Sequence, residues 1–509
     1  MQVTRCDLTA LLLLGAVVLT TGEASADEGT DDQTRRPYEV FVYARPQEKN
    51  YFRLALEEVG ILAAGSVEYF QTQDLQSGDW DLSYSADSFE SKVRGRAISF
   101  DSNKFGTNWI THPLAGWLYY GAARGNRLGP IESLFVATVS AATWEFFGEY
   151  REQVAINDLL VTPIAGAAIS ESMLQLGGWF ERGRPTPART VAAWVLAPGK
   201  RIHDAVDDAE PLRAPDVPRG DLEARLHLSL GPTWESGADR PRRDVSLGIR
   251  TRLFVGPRFD EPGRVGRWLN DGNLSTMRLE ATMSNESFVD LRAAARVAFA
   301  GYYSKNVVAV PDGLVGAGTF LGLGTGVDYQ LHEYALGRAT HQTDDLALIE
   351  LLGLTLETFQ RIGPVRLRTG MMVAGDFAGV TALARDEYVR TRGTAGLPTV
   401  AADNGYTHAF GGTVAPTLRL TLPPVTLLAE ARLDAFRSML ARDRYYTRYE
   451  PTVSGSDERV LGAVSLQYAV FPSLDVALRA GRTFRRSRLD DVTATYGESG
   501  IRLEAALRL

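Results

Sequence analysis

His112, Glu145, Glu149 and Asp158 are the residues of this chain whose types and spacing would support chemistry. Glu145 and Glu149 stand one helical turn apart, so on a regular helix they share a face, and two carboxylates so close repel unless a cation or a proton lies between them. Two readings follow. In one, His112 and a glutamate act as an acid–base pair on a lipid or glycan, or the four groups surround a divalent ion. In the other, the acids belong to a buried polar network that locks helices together. That network takes in His112, Trp144, Glu145, Glu149, Asn157, Asp158 and Glu171, with Arg124, Arg151 and His112 as candidate partners for the glutamates. Histidine is scarce: the other five, at 203, 227, 332, 341 and 408, fall outside the block. The pattern therefore favours the network. No residue is assigned as catalytic, and no metal or cofactor is expected.

The elements that must position these groups lie between Phe105 and Phe180. Thr111 is placed to cap a first helix with His112 and Pro113 in its opening turn, ending at Gly125-Asn126. Pro130 opens a second helix reaching about Tyr150. Thr162 and Pro163 open a third that ends at Gly177-Gly178. Small residues (Gly116, Ala122, Ala137, Gly166, Ala167) leave little bulk on these surfaces, so the backbones can approach closely. Before them, Tyr51 to Gln71 shows a helical apolar period, and Tyr38 to Tyr43 suits one strand. Residues 184–220 carry prolines, glycines and charges and read as a linker with one short helix at Thr190–Leu196.

The chain opens with Arg5, an apolar run from Leu8 to Leu19 and Ala24-Ser25-Ala26 before Asp27, the pattern of a signal peptide over residues 1–26. Residues 27–50 form a leader. Cys6, the one cysteine, would be lost with the signal, so disulfides and thiolate chemistry are excluded from the mature chain. The net charge of −8, with signs interspersed and no basic run, argues against nucleic acid as a partner. Beyond the signal no stretch of about 20 uncharged apolar residues offers a spanning helix; Ser133 to Gly148 comes nearest and contains Glu145.

From residue 221 the hydrophobic period changes to two. Leu222, Ala224, Leu226, Leu228 and Leu230 alternate with Glu223, Arg225, His227 and Ser229, and the same alternation recurs in about twelve segments up to the C-terminus. One face is apolar throughout while the other carries Arg and Glu, which suits a closed barrel with lipid outside and a polar lumen. The lumen charges (Arg225, Arg250, Arg252, Arg278, Glu280, Asp290, Arg292, Arg296, Glu350, Arg366, Arg368, Glu430, Arg432, Asp434) would form an ion-pair lattice or line a pore. The link at Ser284–Ser287 has the wrong parity for the short turns elsewhere, implying a strand miscounted between 257 and 345 and a range of ten to fourteen. His227 and Ser229 share a face in the manner of a barrel lipase pair, but on the lumen side. The terminal alternation Ile501, Leu503, Ala505, Leu507, Leu509 suits recognition by the barrel-assembly machinery.

In the central block, the HP at 112–113, WEFFGE at 144–149, ND at 157–158 and the run from Thr162 to Glu171 resemble the bacterial family known as domain of unknown function 3943, over about residues 50–185. The order His, Glu, Asp is also similar to VanZ-like membrane proteins. The first resemblance implies a cell-envelope protein of no established activity. The expected protein is therefore a helical domain over residues 51–187 with its core at 105–180, a linker at 188–220 and a transmembrane antiparallel β-barrel over 221–509. It would sit in the outer membrane of a Gram-negative cell among outer-membrane lipids, the helices on the periplasmic side or in the barrel mouth, as a structural or transport-related component. The alternative is an envelope enzyme acting on lipid or glycan through His112 and Glu145 or Glu149.

Overall fold

The computed structural model describes residues 39–72, 82–214, 220–236, 240–284, 288–311, 313–335, 341–439 and 452–508. The expected signal peptide, Cys6 and the first part of the leader lie outside the described residues. In chain order the N-terminal part contains α1 (Tyr51–Thr72), α2 (Ala86–Val93), α3 (His112–Gly125), α4 (Pro130–Thr143), α5 (Ile156–Glu181), α6 (Pro187–Leu196) and α7 (Pro198–Val206). π-helical turns precede α3 at Thr107–Thr111 and follow α4 at Trp144–Gly148, and β1 (Ile98–Ser99) pairs in parallel with β2 (Val154–Ala155). The remainder is strand: β3 (Asp221–Glu235), β4 (Arg242–Phe254), β5 (Gly263–Leu269), β6 (Leu274–Ser284), β7 (Phe288–Val310), β8 (Gly313–Ala335), β9 (His341–Ile362), β10 (Val365–Thr381), β11 (Tyr406–Leu422), β12 (Val425–Ser438), β13 (Gly455–Phe471), β14 (Leu474–Leu489) and β15 (Val492–Arg508). Two short helices, α8 (Arg385–Arg392) and α9 (Thr399–Asp403), fill the link between β10 and β11.

The twelve antiparallel strands β3, β4 and β6 to β15 form a closed barrel, with Leu226 of β3 opposite Leu507 of β15 and β7 paired to β8. β5 pairs with β7 at Gly301–Val307, past the last β6 partner. Between 257 and 345 the expected segments omit β5, which pairs outside the ring of twelve; among the described residues the ring itself has no further strand there. β6 ends at Ser284 and β7 begins at Phe288 at the same end of the barrel as the two-residue link between β14 and β15, so a short connection there needs no extra strand. Alternation sets the two faces: Leu226, Leu228 and Leu230 are exposed outward, while His227 and Ser229 between them are buried inward. The short-turn end carries the links at 310–313, 362–365, 422–425 and 471–474; the long-loop end carries those at 381–406 and 438–455.

The helices lie against the outside of this wall and not in its lumen. On β9 and β10, Asp376 pairs with Glu350 facing inward, so the next pair, Phe377 and Ile349, faces outward. Those outward residues, with Ala347 and Tyr406, form one core with Phe100, Trp109, Val161 and Ala165 of the helical part. The Trp109 ring stacks on Phe377 at 5.5 Å between centroids, and a Cβ at Gly379 would fall 2.2 Å from the Trp109 ring nitrogen. Farther along α5, Ala167 and Leu174 share a core with Val297 and Phe299 of β7. Register shifts in β7–β8, β8–β9 and β9–β10, at 298–300, 324–326 and 375–376, follow the path of α5 across the wall, where bulges bend the strands beneath it.

Several helix boundaries differ from those expected. Thr111 is helical and makes no side-chain cap, because the π turn runs straight into α3. α5 starts at Ile156 and passes through Pro163, and Gly177 and Gly178 sit inside it because Ala197 and Phe41 pack against them too closely for side chains. α5 spans 26 residues and is, among the described residues, long and apolar enough to cross a membrane; its acids are buried in polar clusters, which an uncharged-run criterion misses. Residues 184–220 hold two helices rather than one, and in place of the expected strand at 38–43 there is a single bridge, Tyr43 to Pro211.

Candidate functional site

The expected single network divides into two, one at each end of the helical layer. At the long-loop end, α4 stops at Thr143 and the π turn at Trp144–Gly148 breaks the regular period, so Glu145 and Glu149 do not share a helical face. Glu145 is buried, and its Oε2 accepts the backbone N–H of Ala155 at 2.7 Å. Glu149 turns back, its Oε1 accepting the Trp144 ring N–H at 2.9 Å. Beneath them lies Lys92 of α2, wholly buried, whose Nζ donates to the carbonyl oxygens of Glu145 at 2.6 Å and Glu149 at 2.8 Å. Lys92 thus caps carbonyls freed where the helix ends. Burial, followed by the Glu149 charge, pushes the Glu145 carboxyl well above its ordinary range, and burial lowers the Lys92 ammonium.

Asn157 and Asp158 continue this cluster at the start of α5. Asn157 Nδ2 donates to Asp158 Oδ1 at 2.7 Å, the Asp101 N–H donates to Asn157 Oδ1 at 2.8 Å, and His112 Nε2 lies 3.4 Å from Asp158 Oδ1. The segment just after β1 is thus tied to α5 through the Asp101 backbone, and α3 meets α5 here through the His112 side chain. Among the described residues no three acids or histidines are grouped as a metal-ligating set.

Glu171 belongs elsewhere. It lies near the short-turn end of α5, where both its oxygens receive the Arg124 guanidinium at 2.8 and 3.0 Å, and Tyr120 OH donates to it at 2.8 Å. Arg124 also reaches Asp271 at 3.3 Å, in the link between β5 and β6, and Asp271 accepts the Val40 N–H at 2.7 Å. Arg124 is thus the partner of Glu171 and not of Glu145, and this pair fastens α3 and α5 to the barrel. The sequence pattern missed Lys92 because residues 75–105 give no firm periodicity, and it missed Asp271 because a lone acid in a loop has no signature.

Inside the barrel the predicted lattice is present, and it crosses the lumen. Glu223 of β3 binds Arg368 of β10 and Arg419 of β11 from the opposite wall. Arg252 of β4 grips Glu357 of β9, Arg432 of β12 grips Asp328 of β8, and Arg459 of β13 lies 3.2 Å from Asp344 of β9. Cavities of about 190, 410 and 430 Å³ remain between these bridges. At the short-turn end Phe259 turns inward onto Phe254, Tyr303 and Phe359, and at the long-loop end Tyr388, Leu397 and Val453 pack together with Leu489. His227 Nε2 lies 3.7 Å from Glu280 Oε2, and His227 and Ser229 both face the lumen, away from lipid.

The helical segment ordered around Trp144, Asn157 and Glu171 can now be set beside known families. Residues 97–199 match DUF3943, a domain of unknown function. The DUF3943 segment thus runs from Ala97 beside β1 to Gly199 in α7, and it contains both polar clusters apart from Lys92 and Asp271. No curated protein matches the chain. Among solved structures, the NanC porin is 12% identical, covering 55% of this chain and 100% of its own, with a TM-score of 0.24. The translocator domain of the autotransporter NalP from Neisseria meningitidis is 13% identical, covering 63% and 98%, at 0.22, and OmpT of Vibrio cholerae is 9% identical, covering 57% and 99%, at 0.21. The fold is a closed twelve-strand antiparallel β-barrel preceded by the DUF3943 helices.

Proposed function

We propose that this protein is a structural component of the outer membrane whose barrel is held shut, with the DUF3943 helices bracing one side of its wall. The observation that carries this reading is the set of arginine–carboxylate bridges strung across the lumen. An open pore keeps its charges on the wall and its axis in water; here Glu223 of β3 reaches across the interior to Arg368 of β10 and Arg419 of β11, with Arg252 of the neighbouring β4 at 3.9 Å. Buried pairs of this kind add modest stability but fix geometry, because breaking one strands a charge. The long-loop polar cluster fits the same role: its carboxylates are occupied by backbone N–H and ring N–H donors instead of standing free for a substrate.

Transport remains the companion reading, with the lattice as a gate that another component opens. Liposome swelling in a sugar gradient distinguishes the two. The purified protein should give no swelling above empty liposomes, whereas Glu223→Ala, which releases Arg368 and Arg419 from their shared anchor, should admit small solutes. Porin-like swelling by the unaltered protein would overturn the closed-barrel reading.

A further inference from the structure

The helical layer leaves two apolar stripes uncovered. Ile110, Leu114 and Leu118 recur every four residues along the π turn and α3, and Ile131, Phe135 and Val139 do so along α4, each 40% to 62% exposed. No Lys, Arg, Asp or Glu occurs from Phe105 to Ala123 or from Ser133 to Trp144. An exposed apolar surface of this extent calls for an occupant.

The position of the helices names it. Thr107–Gly125 covers about 28 Å at the helical rise. It begins where Trp109 meets Phe377 near the long-loop end, and it ends where Arg124 reaches Asp271 at the short-turn end. α5 runs parallel to it on the same wall, with His112 beside Asp158 and Tyr120 beside Glu171. The apolar band of an outer-membrane barrel is about 25 Å tall, so both helices stand alongside that band and not above or below it. Outward barrel residues such as Leu321, Leu323, Leu354 and Leu356, on the β8 and β9 strands that α5 crosses, are likewise apolar and exposed. Charge collects at the two ends, around Arg124, Arg127 and Glu132 on one side and Lys92, Glu145 and Glu149 on the other. Contact between α3 and α5 is backbone to backbone: a Cβ on Gly116 would fall 1.7 Å from the Thr162 carbonyl oxygen, the close approach that helices in lipid use.

We infer that the DUF3943 helices are embedded in the bilayer, replacing lipid along part of the barrel wall and presenting the stripes on α3 and α4 to acyl chains. The inference rests on the outer-membrane placement of the barrel and not on the closed lumen. It makes the protein a barrel with a helical flank inside the same membrane.

The test uses the full chain with Cys6→Ser, reconstituted in phospholipid vesicles and carrying a spin label at one new cysteine. Leu118→Cys and Phe135→Cys report the stripes, Leu466→Cys the barrel band, and Glu90→Cys an exposed polar position on α2. Collision with oxygen should exceed collision with a water-soluble nickel chelate several-fold at 118 and 135, matching 466, and the order should reverse at 90. Strong nickel collision at 118 and 135 while 466 stays oxygen-exposed would overturn the inference, as would shielding of both from either probe, which marks a second copy or another protein on this face. Nickel access at 466 as well would defeat the membrane placement on which it rests.

Discussion

The lumen and the helix-covered wall are two buried regions of one barrel, built from opposite materials. Facing inward, Arg252 is held to Glu357 and Arg432 to Asp328 by charge. Facing outward, the wall under the helices is aromatic and aliphatic: Phe377, Ile349, Val297 and Phe299 meet Trp109, Val161, Ala165 and Leu174. A strand places neighbouring side chains on opposite faces, so β9 and β10 serve both regions through alternate residues. The comparison teaches that polar groups act as bolts in the wall region and as the filling in the lumen. Arg124 and Glu171 are one bolt, and the Lys92–Glu145 cluster is the other.

The largest effect expected is from drawing a bolt. Glu171→Ala leaves Arg124 buried beside Asp271 alone, a penalty of roughly 3–5 kcal/mol. The helical layer should become protease-sensitive while the barrel keeps its heat-dependent gel shift; loss of both together would mean the two regions fold as one unit. Next, Leu466→Arg on the lipid face should cost roughly 2–4 kcal/mol if it lies near the bilayer midplane. Arg in place of Ser465, which faces the lumen one residue away, should cost less in urea unfolding, and equal costs would mean the faces are misassigned. Gly116→Ala should cost about 1–3 kcal/mol by overpacking the α3–α5 contact, read as a lower midpoint for proteolysis of the layer, with barrel folding unchanged.

The smallest effect concerns pH. The Glu145 carboxyl is raised in the folded state, so the stability that its protonated form contributes is complete below the ordinary carboxylate range and is lost as pH rises through the raised value. Protease resistance of the layer should therefore decline toward alkaline pH in the unaltered protein and stay flat in Glu145→Gln. A parallel decline in both would place the titrating group elsewhere.

Much of this was legible in the residues. The alternation of Leu226, Leu228 and Leu230 with His227 and Ser229 reports the faces of a strand locally, and all twelve barrel segments are found by it. Helix ends were less legible, since Pro163 and Gly177 read as boundaries when taken alone, yet α5 runs through both because its neighbours demand narrow surfaces there. The polar site was half legible. Its acids are plain in the sequence, but the π turn that separates Glu145 from Glu149 has no local signature.

By itself, then, the sequence determined that an alternating barrel follows a helical block rich in small residues, because periodicity and composition act over a few neighbouring residues. Only the tertiary structure decided that the helices stand outside the wall. An apolar helix face is equally suited to a lumen plug, a periplasmic core or a barrel flank, and the choice is made by pairings such as Trp109 with Phe377 and Arg124 with Asp271, between residues more than a hundred positions apart. The lumen was decided in the same way. Alternation shows that Glu223 points inward, but only closure of β3 against β15 brings the far wall, with Arg368 and Arg419, within reach of its carboxylate.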